Sequence, residues 1–367
     1  MLIIQDKMKF NYEFIEKLTQ INGISGHEEK IRKELYNYLK DDVDNIHFDN
    51  LGSIIFEKEK KDTAIEDVNV MIAAHIDQIG FIVNYIDEKG FCFVKPIGGW
   101  YPTQLLTQEV EVETENGDKY IGIFGHKAVG ELRKKKEIEW QDIYIDFGVN
   151  SKEELEGSGV QIGDPITPLS SYKKLINPKF VATKAWDNRV GCAIISELIK
   201  NLKGKDIPCN LFLAGTVQEE VGIRGAKTAS KVVNPDICFS IDIGAYGDTP
   251  SFNKYDSTLE CGKGPAICIF DATSLGNKKL IKLIKKVAKE NNIPYQLDIM
   301  MNGGTDNGAM HLNERGAFGV TISIPTRYGH SHNSIINTDD LENATKLFME
   351  VIRELDSNFL KDLKTFV

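Results

Sequence analysis

Five places in the chain set a histidine or a carboxylate at or just beyond an apolar run. Val68–His75 leads into His75-Ile-Asp77. Ala185-Trp-Asp187-Asn-Arg189 precedes a helical stretch. Leu211–Val217 runs into Gln218-Glu219-Glu220. Ile237–Ile243 contains Asp242, and Gly316–Ile324 leads into Arg327-Tyr-Gly-His330. Functional groups in an α/β sheet gather where strands end. One His or carboxylate at each of five such ends is hard to ascribe to surface chance. Taken singly the signals differ in weight. A His-x-Asp is often a surface or capping pair, and most Glu-Glu dipeptides are solvated. Asp242 says more, because a carboxylate inside an apolar strand is costly unless it is paired or metal-bound.

Together the residues suit a two-metal hydrolase. Imidazole and carboxylate donors favour zinc, cobalt or manganese over copper(I) or an iron–sulfur cluster. With His75, Asp187, Glu220, Asp242 and His330 as ligands, three carboxylates offset most of the charge of two divalent ions. A bound hydroxide would neutralise the rest. Ions about 3.5–4 Å apart can share a carboxylate and a water. Glu219 is then expected to be the general base, moving a proton from water to the leaving amine. Asp77 falls on the same side of its strand as His75. It is expected to accept the imidazole's other N–H and so fix the tautomer. His332, two residues past His330, is an alternative for the last ligand, and His330 could instead be a packed loop histidine.

The elements that must position these groups read as follows. Phe14, Ile15, Leu18 and Ile21 fall at helical spacing. Ser25-Gly-His-Glu28 reads as a capping box opening a helix that carries Ile31, Leu35, Tyr38 and Leu39. From Phe81 to about Thr167 the chain is strand-like and turn-rich, with Phe81–Ile86, Phe91–Val94, Val110–Thr114 and Tyr120–Phe124 as strands and a turn at Asn116-Gly117. Phe81, Val83 and Tyr85 give the first of these strands an apolar side. After residue 180 strand and helix alternate: a helix over Asn188–Leu202, another over Leu280–Ala288, and a long final one over Asp339–Leu360 capped by Asp339 and Glu342. The fold expected is α/β, a sheet covered by helices. Residues 1–76 and 171–367 would form one discontinuous domain, with a β-rich block, 77–170, inserted in it.

Composition narrows the function further. The chain has 367 residues, 41% of them apolar and 27% charged, so disorder is excluded as its main state. Lys and Arg total 44 against 54 Asp and Glu, a net charge of −10. That balance argues against a nucleic-acid or anionic-membrane binder. The apolar start of Met1–Lys7 is too short for a signal-peptide core. No apolar run approaches the ~18 residues of a membrane span. Six scattered cysteines without a CxxC pair read as buried free thiols in a cytoplasmic protein.

The motifs resemble those of the tetrahedral aminopeptidases, the family that includes glutamyl aminopeptidase-like enzymes. The resemblance rests on Asn22-Gly-Ile-Ser-Gly26, Ala74-His-Ile-Asp-Gln-Ile-Gly80, Lys184-Ala-Trp-Asp-Asn-Arg-Val-Gly191 and Gly304-Thr-Asp306. It also rests on Pro325-Thr-Arg-Tyr-Gly-His-Ser331 and, most specifically, on Thr216-Val-Gln-Glu-Glu-Val-Gly-Ile-Arg-Gly-Ala226. It implies a mixed-sheet dinuclear metallo-exopeptidase domain that removes N-terminal residues from short peptides. His75 and His330 would be terminal ligands, Asp187 the bridge, Glu220 and Asp242 the remaining ligands, Glu219 the base and Asp77 the orienting residue. It also implies a β-barrel-like dimerisation insert, with dimers assembling into hollow tetrahedral dodecamers. Some members carry an endoglucanase label, so a glycoside hydrolase is an alternative, as is another metal-dependent amidohydrolase or deacylase. Three departures stand out. Gln78 replaces the usual Glu, Ser331-His-Asn-Ser334 lacks a Glu after the last ligand, and Gly125–Leu132 lacks a Pro-Pro-His element.

Overall fold

A computed structural model describes residues 8–62, 66–250 and 252–367. Met1–Lys7, read above for a targeting signal, lie outside the described residues. In chain order the strands are β1 (Asn45–Phe48), β2 (Ile54–Lys58), β3 (Asn69–His75), β4 (Gly80–Ile86), β5 (Cys92–Ile97) and β6 (Glu109–Glu113). There follow β7 (Lys119–His126), β8 (Ile143–Asp146), β9 (Pro165–Pro168), β10 (Lys173–Lys174), β11 (Phe180–Thr183) and β12 (Asn210–Thr216). The last are β13 (Ile237–Ala245), β14 (Ala266–Phe270), β15 (Gln296–Ile299), β16 (Phe318–Arg327) and β17 (Ser334–Asn337).

The larger sheet runs β1-β2-β12-β3-β13-β16-β17-β11-β10, with β14 beside β16 and β15 beside β14. Its centre, β12, β3, β13 and β16, is parallel. Those strands read as continuous apolar runs because both faces are covered. Alternate residues of β3 divide between two cores. Val70, Ile72 and Ala74 meet the helices Trp186–Leu202 and Thr338–Ile352. Met71 and Ala73 meet Ala226, Ala229 and Val233 of the helix Arg224–Val233. Burying Trp186–Leu202 on nearly every side explains why its sequence is apolar well beyond one stripe. Among the described residues, no helix is long and apolar enough to cross a membrane. All six cysteines are buried and free.

Strands β4-β5-β8-β7-β6-β9 close into a barrel, so this part of the chain has no open sheet edge. Phe81, Val110, Phe124 and Ile166 fill it, with the Phe81 ring 5.1 Å from that of Phe124. Tyr85 departs from the expected apolar side. The β4–β5 register shifts between Val83 and Tyr85, which turns Tyr85 outward, half exposed, while Phe81 and Val83 stay inside.

Two other expectations are corrected. Ser25 and Glu28 do not form a capping box, since the helix Glu29–Leu39 has no side-chain cap. Both side chains turn toward neighbouring loops instead. The final helix is two, Thr338–Ile352 and Ser357–Leu363. Asn337 caps the first by accepting from Asp339 N, and Glu342 accepts instead from the Tyr12 hydroxyl. The Asp356 side chain accepts from Phe359 N, so it starts a second helix rather than continuing the first.

Candidate active site

His75 is the last residue of β3, and Asp242 lies near the end of β13. Asp187 stands in the irregular first turn of Trp186–Leu202, where the backbone of Asp187 and Asn188 is not helical. Glu219 and Glu220 come after β12, beyond Val217 and Gln218, and His330 follows β16. Parallel strands thus deliver every group to one edge of the sheet. Ala185, Gln218, Ile223, Tyr328 and His330 all have positive φ near +55 to +59°, although none is glycine. Such conformations persist where surrounding contacts fix them, and here they cluster in the loops around these groups.

The side chains converge in two sets that share one carboxylate. His75, Asp187 and Asp242 form one set, and Asp187, Glu220 and His330 the other, each with donor atoms within 4.8 Å of one another. Asp187 faces both: Oδ1 lies 3.0 Å from His75 Nε2, and Oδ2 lies 3.1 Å from His330 Nε2. Glu220 Oε2 is 3.5 Å from His330 Nε2, and Asp242 Oδ1 is 4.0 Å from His75 Nε2. Glu219 Oε2 stands 3.9 Å from His75 Nε2.

Each imidazole is held from behind. His75 Nδ1 lies 3.1 Å from the Asp77 main-chain oxygen, and His330 Nδ1 lies 2.9 Å from the Gly99 oxygen. Those carbonyls accept an N–H from Nδ1, so Nε2 is the nitrogen presented to the carboxylates. The Asp77 carboxylate is 3.5 Å from His75 Nδ1. Its closer partners are the Ser25 hydroxyl and the backbone N–H groups of Glu219 and Glu220. The expected tautomer lock is thus the main-chain oxygen of Asp77, and its side chain braces the neighbouring turn.

His332 is not in the cluster. Its Nε2 bonds the Glu109 carbonyl at 3.0 Å, and its ring stands edge-on to Trp100. Burial pulls its pKa down to about 4. The loop that lacks the expected Glu is tied otherwise: the Ser331 hydroxyl donates to Tyr328 O, and Asn333 accepts from the Ser170 hydroxyl. Gln78 is buried, lies outside the pocket lining, and its amide makes no side-chain hydrogen bond.

The electrostatics call for positive charge. Burial pushes the Glu219 and Asp242 carboxyls well above the ordinary range. It lifts Glu220 to about 8, with the charge of Asp187 adding to the effect. Burial also opposes ionisation of Asp187, but hydrogen bonds from His330 and His75 outweigh it and hold that carboxyl low. Glu220 Oε1 is buried and has no hydrogen-bond partner among the described residues. Buried carboxylates in this excess, with one oxygen orphaned, fit divalent cations bound to oxygen and imidazole nitrogen.

The cluster floors a pocket of about 530 Å³. Ile223, Ile243, Ala245, Tyr246 and Met300 are among its apolar lining residues, and Thr273 and Asn302 also line it. The barrel also reaches the site through Gly98 and Gly99. A Cβ on Gly99 would stand 2.8 Å from His330 Nδ1, and one on Gly98 would stand 3.0 Å from Glu220 Oε2. Sequence reasoning missed Gly99 because it acts through a main-chain oxygen. It also missed Asp306, whose Oδ2 accepts from the Thr216 hydroxyl behind the cluster. Its Gly304-Thr-Asp306 motif was the available signal.

Several known proteins are similar to this chain in sequence and fold. A family profile described as M42 glutamyl aminopeptidase matches residues 52–347. A glutamyl aminopeptidase of Lactococcus lactis is 32% identical over 360 residues, 97% of this chain and 99% of that protein. The structure of a TET aminopeptidase from Thaumarchaeota archaeon SCGC AB-539-E09 superposes with a TM-score of 0.92 at 35% identity. It covers 96% of this chain and 98% of that one. The Pyrococcus horikoshii TET1 peptidase, described as assembling into a tetrahedron or a large octahedral shell, gives 0.83 at 31% identity, covering 94% and 99%.

Proposed function

The chain belongs to the M42 glutamyl aminopeptidase family, and from that premise we propose that it is a two-metal aminopeptidase acting on short peptides with a neutral, apolar N-terminal residue. The observation that carries the reading is Asp187, whose two oxygens face two separate histidines, each beside a further carboxylate.

His75, Asp242 and Asp187 Oδ1 would hold one ion, and His330, Glu220 and Asp187 Oδ2 the other. Ions held there would supply Lewis acidity toward the scissile carbonyl and lower the pKa of a water, so that a proton could leave it near neutral pH. Glu219 takes that proton and delivers it to the departing amine. Its place supports this role, because Glu219 lines the pocket and its Oε2 stands 3.9 Å from His75 Nε2, beside the candidate ligands. Asp77 and Gly99 keep the imidazoles aimed through their main-chain oxygens. The apolar lining residues Ile223, Ile243, Ala245, Tyr246 and Met300 support the choice of a neutral residue. Arg327, next to the lining residue Thr326 in sequence, is already paired bidentately with Asp248 at 2.9 and 2.6 Å.

We also take the barrel as a dimer contact and the working form as a large closed assembly. The shells described for the TET1 peptidase support this. Buried free cysteines fit a reducing compartment, the cytoplasm.

The test is hydrolysis of aminoacyl p-nitroanilides by protein stripped with EDTA and reloaded separately with zinc, cobalt or manganese. Leucyl and methionyl substrates are expected to be cleaved faster than glutamyl and lysyl ones, and only after reloading. A panel left uncleaved with every metal would contradict the aminopeptidase reading.

A further inference from the structure

The turn that carries Glu219 and Glu220 is anchored by carboxylates from two other parts of the chain. Three successive backbone N–H groups point the same way. Gln218 N donates to Glu28 Oε1 at 3.1 Å, Glu219 N to Asp77 Oδ1 at 3.0 Å, and Glu220 N to Asp77 Oδ2 at 3.1 Å. Gln218 has φ +56°, a left-handed conformation that a non-glycine residue keeps only when its surroundings fix it.

Glu28 is placed for this task. It is 3% exposed and stands at the N-terminus of the helix Glu29–Leu39, yet it makes no capping bond there. Its Oε1 also accepts from Gly26 N at 2.8 Å, which aims the carboxylate away from the helix. The Ser25 hydroxyl donates to Asp77 Oδ2 at 2.6 Å and so joins the two carboxylates through one short segment. That segment is itself fixed. Gln78 N donates to Gly23 O at 2.9 Å, and the buried Arg189 guanidinium donates to Leu18 O and Ile21 O. Glu28 is not among the residues lining the pocket or forming the two candidate metal sets.

We propose that Glu28 is a positioning residue for Glu219: with Asp77 it clamps the 218–220 turn and so sets the direction of the base. The proposal rests on Glu219 being the base. Its Oε1, fixed by the bond from Gly26 N, places a buried acceptor on the Gln218 N–H, which suits a turn held in an unfavourable conformation. Misplacing a catalytic group by about 1 Å can cost on the order of 100-fold in rate.

The experiment measures kcat, KM and metal content for Glu28→Leu, Glu28→Asp and Glu28→Gln, alone and combined with Glu219→Gln. Glu28→Leu removes the acceptor and is expected to lower kcat by roughly 10- to 100-fold, with KM and metal content little changed. Glu28→Gln keeps an oxygen in place and should restore most of the rate. Glu28→Asp draws the oxygen back by one methylene and carries the test if the leucine variant does not fold. It should lose rate without losing metal. In the Glu219→Gln background the Glu28 substitutions should cost little further, because residues acting through one group are not additive. An unchanged kcat in both Glu28→Leu and Glu28→Asp would overturn the proposal. So would loss of metal together with activity, or an undiminished effect when Glu219 is already replaced. Near-normal turnover by Glu219→Gln alone overturns the base assignment and this proposal with it. A silent Glu28 series beside a crippled Glu219→Gln overturns this proposal alone.

Discussion

Asp187 and His330 divide the candidate metal site in a way that analysis of purified variants can resolve. Asp187 faces both halves of the cluster, whereas His330 touches one. Asp187→Ala should therefore deplete both ions, and His330→Ala mainly one. His332→Ala is the internal control and should keep its metal, because that ring bonds the Glu109 carbonyl and packs on Trp100. Equal depletion in Asp187→Ala and His330→Ala would refute the shared carboxylate. Loss of metal in His332→Ala would move the ligand by two residues. Sequence spacing alone left that choice open, since residues two apart share one side of an extended chain. The left-handed backbone at Tyr328 and His330 removes the equivalence, and spacing does not reveal it. The remaining groups were legible because each ends or interrupts an apolar strand or, for Asp187, opens the long apolar helix Trp186–Leu202. Glu28 was not, because Ser-x-x-Glu before an apolar helix is the same pattern whether it caps that helix or braces a loop elsewhere.

At the scale of elements, the seam between the sheet and the barrel holds a buried lysine. Lys184 Nζ donates to Asn22 Oδ1, and the Asn22 amide donates to Glu111 of β6 at 2.6 Å. Burial pulls the Lys184 pKa down to about 7, with the Arg189 charge acting in the same direction and Glu111 against it. An unfolded chain keeps that proton to about pH 10.4. Between pH 7 and 10 the unfolded state thus binds more protons, so this residue's contribution to stability rises with pH. Lys184→Met removes that dependence. The difference in Tm, wild type minus variant, should become more positive from pH 7 to 9 in thermal melts. A flat or falling difference would contradict a folded-state Lys184 that gives up its proton near pH 7. The two-sided sheet was readable from its continuous apolar strands, and a β-rich block from strand-like runs and turn residues; its closing into a barrel was implied only by the family resemblance. The β4 register shift at Tyr85 was not, because a bulge depends on the partner strand. The break before Asp356 was hidden for a related reason: helical periodicity resumes on its far side, and only the cap marks the new start.

For the whole molecule, the barrel is part of the active site as well as a candidate contact. It lies between β3 and β10 in sequence, and its Gly99 carbonyl braces His330. Its outer face carries Ile121 and Ile123, both exposed in the single chain. Sedimentation of the intact protein at micromolar concentration should give a closed assembly of about twelve subunits, roughly 0.5 MDa. A monomer under those conditions would contradict the assembly and leave the metal cluster untouched. The central claim is that Glu219 moves the proton while the residues around it hold two ions. It is tested most directly by measuring kcat and metal content on one preparation of Glu219→Gln. The account predicts metal content equal to wild type and a kcat lowered at least ~100-fold, the usual worth of a positioned general base. Near-normal turnover with full metal would contradict it.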